Sequence, residues 1–365
     1  MTRIFVGATR QHDGKTTTCL GLYSLLRQMG KRVHFIKPVG QRYMGLDGHK
    51  IDEDAVLMRH VFGEDVELSA MSPVAVPRGF TEQYIFNRDR ASIYRQIDEA
   101  MLKVDKDTDV TIIEGTGHAG VGSVFDASNA DVAKHLGAKA IIVSQGGIGS
   151  CIDEIALNRA IFEQAGVPIA GVIINKVLLE KYDRINRAVR QGLQNLGLPC
   201  LGVIPYVPEL TYPTIRQIAE ELELTVLAGD KYLDRRAQSV IVAAMEPQNT
   251  ISFIRNGTFV ITPGDRVDNI LVCIAAHVVG EQPSEGSVSG ILLSGGFIPH
   301  FTILNLLKKA DVPVLSCSQD TYSISTKIQK FVVKIGIDDS DKVKTVCGLI
   351  ANNLDNDLLM TCLEG

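Results

Sequence analysis

Arg3-Ile4-Phe5-Val6-Gly7-Ala8-Thr9-Arg10-Gln11-His12-Asp13-Gly14-Lys15-Thr16-Thr17-Thr18 reads as a strand, a polar loop and the start of a helix. Ile4, Phe5 and Val6 make a short apolar strand. Gly14-Lys15-Thr16 opens a helix that runs through Leu20, Leu22, Leu25 and Leu26 to Met29. Gly30 is placed to end that helix as a left-handed cap. The order is that of a phosphate-binding loop. Backbone N–H groups at a helix N-terminus face an anion, a lysine reaches the terminal phosphates, and a hydroxyl meets the metal. The strict pattern has glycine where Thr9 stands, and the nearest upstream glycine is Gly7. A lone Gly-Lys-Thr more often just starts a helix; its place between a strand and a long helix selects nucleotide binding, with Lys15 and Thr16 on the phosphates and metal.

Working outward, Val33-His34-Phe35-Ile36 is a second strand and ends at Lys37-Pro38-Val39-Gly40. A lysine at the C-terminal end of such a strand lies on the ligand side of an open α/β sheet. Beside the first loop, Lys37 reads as a phosphate or substrate contact rather than a solvated strand end. Asp52-Glu53-Asp54 precede the apolar Ala55-Val56-Leu57-Met58. Acids in a first helical turn serve as dipole partners and caps; the functional alternative is that Asp54 helps to hold Mg²⁺. Residues 71–80 are a proline-broken connection, and a helix follows over 92–103. Asp109-Val110-Thr111-Ile112-Ile113-Glu114 is then a buried strand that ends in a carboxylate and enters a run with four glycines, Gly115 to Ser123. A terminal acid on such a strand holds Mg²⁺ directly or through water in nucleoside triphosphatases. His118, within the run, is either an acid–base group or a structural loop histidine.

Strands over 138–143, 169–174 and 200–204 alternate with helices over 152–164 and 180–196, which implies a parallel sheet with right-handed crossovers. Asn175, at a strand end, either reads a nucleotide base or caps the following turn. From about Thr225 the texture changes, and the expected division is residues 1–228 and 229–365. In the second part, a short helix is expected at 250–255 and strands at 258–262, 290–293 and 312–316. A helix opened by Pro263-Gly264-Asp265-Arg266 and a helical tail complete it. Asp265, Arg266 and Ser294-Gly295-Gly296 form either a ligand site or caps and tight turns.

The chain has 365 residues, 45% hydrophobic and 22% charged, with a net charge of −5 and no basic tail. A nucleic-acid partner is therefore not expected. Seven cysteines without a C-x-x-C pair read as reduced thiols of a cytoplasmic protein. With no long apolar run at the N-terminus, neither a signal peptide nor a membrane span is expected.

Thr9, Gly14-Lys15-Thr16, Lys37-Pro38-Val39, Asp54, Glu114-Gly115 and Asn175 resemble the pattern of dethiobiotin synthetase, an ATP- and Mg²⁺-dependent P-loop ligase. A closer resemblance is to the N-terminal, dethiobiotin-synthetase-like region of long bacterial phosphotransacetylases. It is carried by Ser72-Pro73-Val74, Gly79-Phe80-Thr81, the string Glu114 to Ser123, and Gly202-Val203-Ile204-Pro205-Tyr206. Thr262-Pro263-Gly264-Asp265-Arg266 and Ser294-Gly295-Gly296 are similar to the DRTGG domain that follows there. The implied fold is α/β, a P-loop NTPase-type parallel sheet with helices on both faces, followed by a smaller α/β DRTGG-like domain. The resemblance implies nucleotide contacts at Thr9, Asp13, Gly14, Lys15, Thr16, Thr17 and Asn175. It implies metal ligands at Thr16, Asp54 and Glu114, catalytic lysines at Lys15 and Lys37, and a homodimer. Ala8 stands where dethiobiotin synthetase carries glycine, His12 replaces its acidic residue unless Asp13 substitutes, and the proline-rich 72–80 replaces its diamine pocket. The acetyl-transferring domain of phosphotransacetylase would lie beyond the DRTGG unit, so this chain is not expected to make acetyl phosphate by itself. The expected function is a nucleotide-responsive regulatory or accessory protein with ATP, Mg²⁺ and a phosphotransacetylase-type partner. The alternative is a ligase acting on a carboxylate or carbamate. A dimeric switch ATPase is a third reading, weakened by Arg10 where those carry a further lysine.

Overall fold

The computed structural model describes residues 1–279, 287–331 and 333–364. Two compact units form, one from Met1–Val207 with Ile335–Gly365 and one from Pro208–Lys334. The division expected at 228/229 differs from this on two counts. The crossover lies some twenty residues earlier, and the C-terminal tail packs in the first unit.

The first unit holds β1 (Thr2–Ala8), α1 (Lys15–Gln28), β2 (Val33–Ile36), α2 (Glu53–Phe62) and α3 (Arg90–Val104). These are followed by β3 (Val110–Glu114), β4 (Lys139–Gln145), α4 (Gly149–Ala165), β5 (Ile169–Val177), α5 (Tyr182–Asn195) and β6 (Cys200–Pro205). The six strands form one parallel sheet in the order β6-β5-β4-β1-β3-β2. Helices cover both faces, so successive residues of β1 from Ile4 and of β3 throughout are buried rather than every second one. The chain leaves β1 to build β2 and β3 on one side and returns to place β4 on the other. That reversal opens a crevice at the carboxyl end of β1, where ligands bind in open α/β sheets. Gly30, at φ +78°, ends α1, and Lys31 N–H donates to Leu26 O at 3.1 Å.

Residues 41–52 contain an antiparallel hairpin, Tyr43–Leu46 with His49–Asp52, and this hairpin delivers Asp52 to the start of α2. The helix expected at 250–255 is one α-turn at Pro247–Thr250 followed by a 3₁₀ turn at Ile251–Phe253, because Pro247 starts it three residues early.

The second unit contains β7 (Thr225–Ala228), β8 (Ser239–Val242), β9 (Thr258–Pro263), α6 (Val267–Val279), β10 (Val288–Ser294), α7 (Phe301–Lys309), β11 (Val314–Ser316) and α8 (Thr321–Gln329). Its sheet runs β7-β11-β10-β9-β8, parallel except for β7. The period of two divides its core cleanly. Val260, Ile291 and Leu293 meet Ile270, Cys273 and Leu307 on one face. Phe259, Ile261 and Leu292 meet Ile215, Ile218 and Ile324 on the other.

The tail forms α9 (Ser340–Asn353) and α10 (Asn356–Glu364). α9 lies against α1. The last carbonyls of α10 accept from Lys139 Nζ, at 3.2 Å for Cys362 O and 3.0 Å for Leu363 O, a cation at a helix C-terminus. All seven cysteines are free. Among the described residues no helix is long and apolar enough to cross a membrane.

Candidate functional site

The loop between β1 and α1 is shaped by its own side chains. Gly14 sits at φ +102°, and a Cβ there would lie 2.1 Å from Asn175 Nδ2, so any other residue would be strained and would displace the Asn175 amide. The Asp13 carboxylate is buried and turned inward. It accepts from Thr9 Oγ1 at 2.8 Å and from Arg10 N–H at 2.7 Å, and Thr9 Oγ1 lies 3.1 Å from Ser144 Oγ. Burial raises Asp13 above the usual carboxylate value, against the pull of Thr9 and Arg10. Thr17 Oγ1 donates to Gly14 O at 2.7 Å. Asn175, at the end of β5, donates from Nδ2 to Asp13 O at 2.9 Å and accepts Lys176 N–H at Oδ1, also at 2.9 Å. Its amide braces the loop, so reading a base would require exchanging those bonds. Lys176 Nζ donates to His12 O at 2.7 Å. Thr9, Asp13 and Thr17 thus hold the loop's shape, which explains how it closes without the upstream glycine.

Beyond the loop lies a buried knot of charge. Lys37, just past β2, places Nζ against Asp54 Oδ2, 3.1 Å from Asp52 Oδ1 and 3.6 Å from Glu114 Oε1. Glu114, at the end of β3, is 1% exposed and accepts from Thr16 Oγ1 at 2.9 Å. Asp52 caps α2 by accepting Asp54 N–H at 3.0 Å, while its own N–H donates to Ser72 Oγ at 3.0 Å. Burial alone would depress Lys37; the carboxylates of Asp54, Glu114 and Asp52 overrule it and hold the ammonium well above the ordinary lysine value. Burial, then Asp54, raises Glu114 to about 7. Three carboxylates share one ammonium, and Glu114 is the farthest of them from it. Burial lowers Lys15, with Glu114 opposing.

Two carboxylate oxygens here, Glu114 Oε2 and Asp52 Oδ2, are buried and accept no hydrogen bond. An orphaned anionic oxygen beside a hydroxyl is the donor chemistry a hard divalent cation takes. The residues present therefore fit Mg²⁺.

All ten predicted site residues lie in the first unit, at the carboxyl end of its sheet. Asp52 was not singled out from the sequence. It was visible as a helix N-cap, but nothing in the chain showed that its other oxygen would face Lys37. His118 is exposed and its Nδ1 accepts Gly120 N–H at 3.2 Å, within a turn that Asn129 and Asn158 hold by accepting from Thr116 and Ala119. In the second unit, Gly264 N–H donates to Ser294 O at 3.1 Å, Ser294 Oγ and Thr321 Oγ1 are 2.7 Å apart, and Arg266 pairs with Asp268 at 3.0 Å. Gly295 N–H donates to Gln319 O at 2.7 Å and Gly296 N–H to Cys317 O at 2.9 Å, while Arg266 also reaches the carbonyls of Ala244 and Met245.

Residues 2–214 match the family model of an AAA domain, and residues 217–331 match that of the DRTGG domain. Phosphate acetyltransferase of Pseudomonas putida is 27% identical over 366 residues, covering 97% of this chain and 51% of that protein. The Pseudomonas aeruginosa enzyme is 28% identical, with the same coverage. The chain thus spans about half the length of the curated relatives it matches. Among solved structures, MinD of Aquifex aeolicus aligns at 18% identity and a TM-score of 0.36, covering 57% of this chain and 84% of that one. The CBS and DRTGG domains of the Clostridium perfringens pyrophosphatase align at 16% identity and a TM-score of 0.27, over 47% and 85%. With a P-loop, dethiobiotin-synthetase-like domain followed by a DRTGG domain, this chain belongs to the AAA-domain family and is homologous to phosphate acetyltransferases over 97% of its length and half of theirs.

Proposed function

We propose that the first unit binds ATP with Mg²⁺ and that the protein acts as a nucleotide-responsive regulatory or accessory protein, working with a phosphotransacetylase-type partner. The observation that carries this reading is the Lys37–Asp52–Asp54–Glu114 knot at the mouth of the loop. Lys15 and the N–H groups at the start of α1 would take the phosphates, and Thr16, Glu114 and Asp54 would hold the metal. Mg²⁺ would supply charge neutralisation for the phosphate oxygens. Lys37 would exchange its carboxylates for a phosphate. Because Asp52 also caps α2, that exchange pulls on the start of this helix. Binding is thereby coupled to a change in shape, which is what a regulator requires.

A ligase reading draws support from the same pair of lysines, Lys15 and Lys37, which would stabilise charge on a transferred phosphoryl group. Calorimetric titration with ATP and Mg²⁺, followed by phosphate release with and without diaminopelargonate and bicarbonate, separates the two. Tight binding with negligible release in both conditions supports the regulator. Release that rises with the acceptor replaces it with the ligase, and absent binding removes both.

A further inference from the structure

The opposite end of β2 carries a second cluster. Lys37 follows the strand, whereas His34 is its second residue, so the two lie roughly 10 Å apart along it. Gly63, at φ +64°, turns the chain out of α2 and brings Glu64 and Asp65 back beside His34. His34 Nδ1 lies 2.5 Å from Glu64 Oε2. One ligand atom from each of His34, Glu64 and Asp65 falls within 4.8 Å of the others. The Glu64 side chain is 0% exposed, and its Oε1 is buried without a hydrogen-bond partner. The Tyr23 hydroxyl faces the same carboxylate and is pushed up by burial and then by that charge. All of these groups line a cavity of about 790 Å³.

A histidine–glutamate ion pair explains one carboxylate oxygen. It leaves the other buried without a hydrogen bond, and it does not require Asp65. We propose that His34, Glu64 and Asp65 bind one divalent transition-metal ion, separately from the P-loop. One imidazole with two carboxylates is the donor set of Zn²⁺, Mn²⁺ or Co²⁺; Mg²⁺ favours oxygen alone. Donors about 2.1 Å from one ion are at most about 4.2 Å apart, so the cluster must tighten slightly. Asp65 is exposed and free to swing inward, while the buried Glu64 is already in place. The two carboxylates neutralise the ion. The remaining coordination positions open onto the cavity, whose wall carries Arg27 and Lys31, together with Arg32, which pairs with Asp109.

The test titrates the nucleotide-free full chain with Mn²⁺, counts free ion by electron paramagnetic resonance, and follows broadening of the histidine ring signals by NMR. One Mn²⁺ should bind and broaden His34 selectively, and a tenfold excess of Mg²⁺ should leave it bound. His34→Gln and Asp65→Asn should each weaken binding at least tenfold; Asp65 is exposed, so its variant folds even if the other does not. His300→Gln, at an exposed histidine of the second unit, should bind Mn²⁺ as the parent does. No bound Mn²⁺, equal affinity in Asp65→Asn, or loss on His300→Gln with retention in His34→Gln would overturn the proposal.

Discussion

Gly21 lies in the middle of α1, the helix that the phosphate loop opens. Helix propensity alone says that Gly21→Ala should stabilise the protein by about 1 kcal/mol. The fold reverses the sign. A Cβ at this position would lie 2.3 Å from both Cβ and Cγ1 of Ile350 in α9, and 2.7 Å from its Cγ2. Ile350 is 2% exposed, and its Cβ is attached to the backbone, so no rotamer change removes the contact. α9 itself must move away. Overpacking of this kind costs about 1–3 kcal/mol, and set against the propensity gain it leaves a net loss of up to about 2 kcal/mol. Ile350→Ala deletes two of the three close atoms. In that background the Gly21→Ala penalty should shrink, giving a coupling of about 1 kcal/mol, where independent sites add to within about 0.5 kcal/mol. Urea unfolding of the four proteins, followed by circular dichroism with the slope held in common, measures each term. If Gly21→Ala stabilises by about 1 kcal/mol and adds to Ile350→Ala without coupling, α9 does not lie on α1 and the return of the tail to the first unit is wrong.

Lys15→Ala should weaken ATP binding about 10- to 100-fold, the worth of a charge-assisted contact; unchanged calorimetric affinity would remove the nucleotide-site reading. Glu114→Gln should weaken binding in the presence of Mg²⁺ about tenfold more than in its absence, and equal losses would argue against a ligand role. His277 tests the second unit. Burial, then Arg235, pushes its imidazole below the ordinary value of 6.5. The neutral ring is the one the fold accepts, so its contribution is complete above pH 6.5 and is lost as pH falls from there through the lower folded value. Solvent screening keeps the effect below about 1 kcal/mol. The drop in urea midpoint between pH 8 and pH 5 should be smaller in His277→Gln than in the parent, and an equal drop would place the acid sensitivity elsewhere.

Most of the first unit was legible because its determinants are local. Runs without apolar–polar alternation, such as the Ile112-Ile113 stretch of Val110–Glu114, are what strands covered on both faces require, and Gly14-Lys15-Thr16 and Glu114 mark strand ends by chemistry that few other structures need. The sequence by itself therefore determined the α/β class, the strands of the parallel sheet and, Asp52 apart, which charged residues gather at its carboxyl end. Pairing across distance was decided only by the tertiary structure. Asp52 reads as an ordinary helix cap until the fold places Lys37 3.1 Å from its free side. Asn175 reads equally as base reader or cap until β5 is set beside the loop and its amide meets Asp13 O. The tail reads as the end of the second domain, since helical periodicity says which face is apolar but not which partner covers it. Gly21 and Ile350 are separated by more than three hundred residues, and their contact exists only because the sheet brings α1 and α9 together.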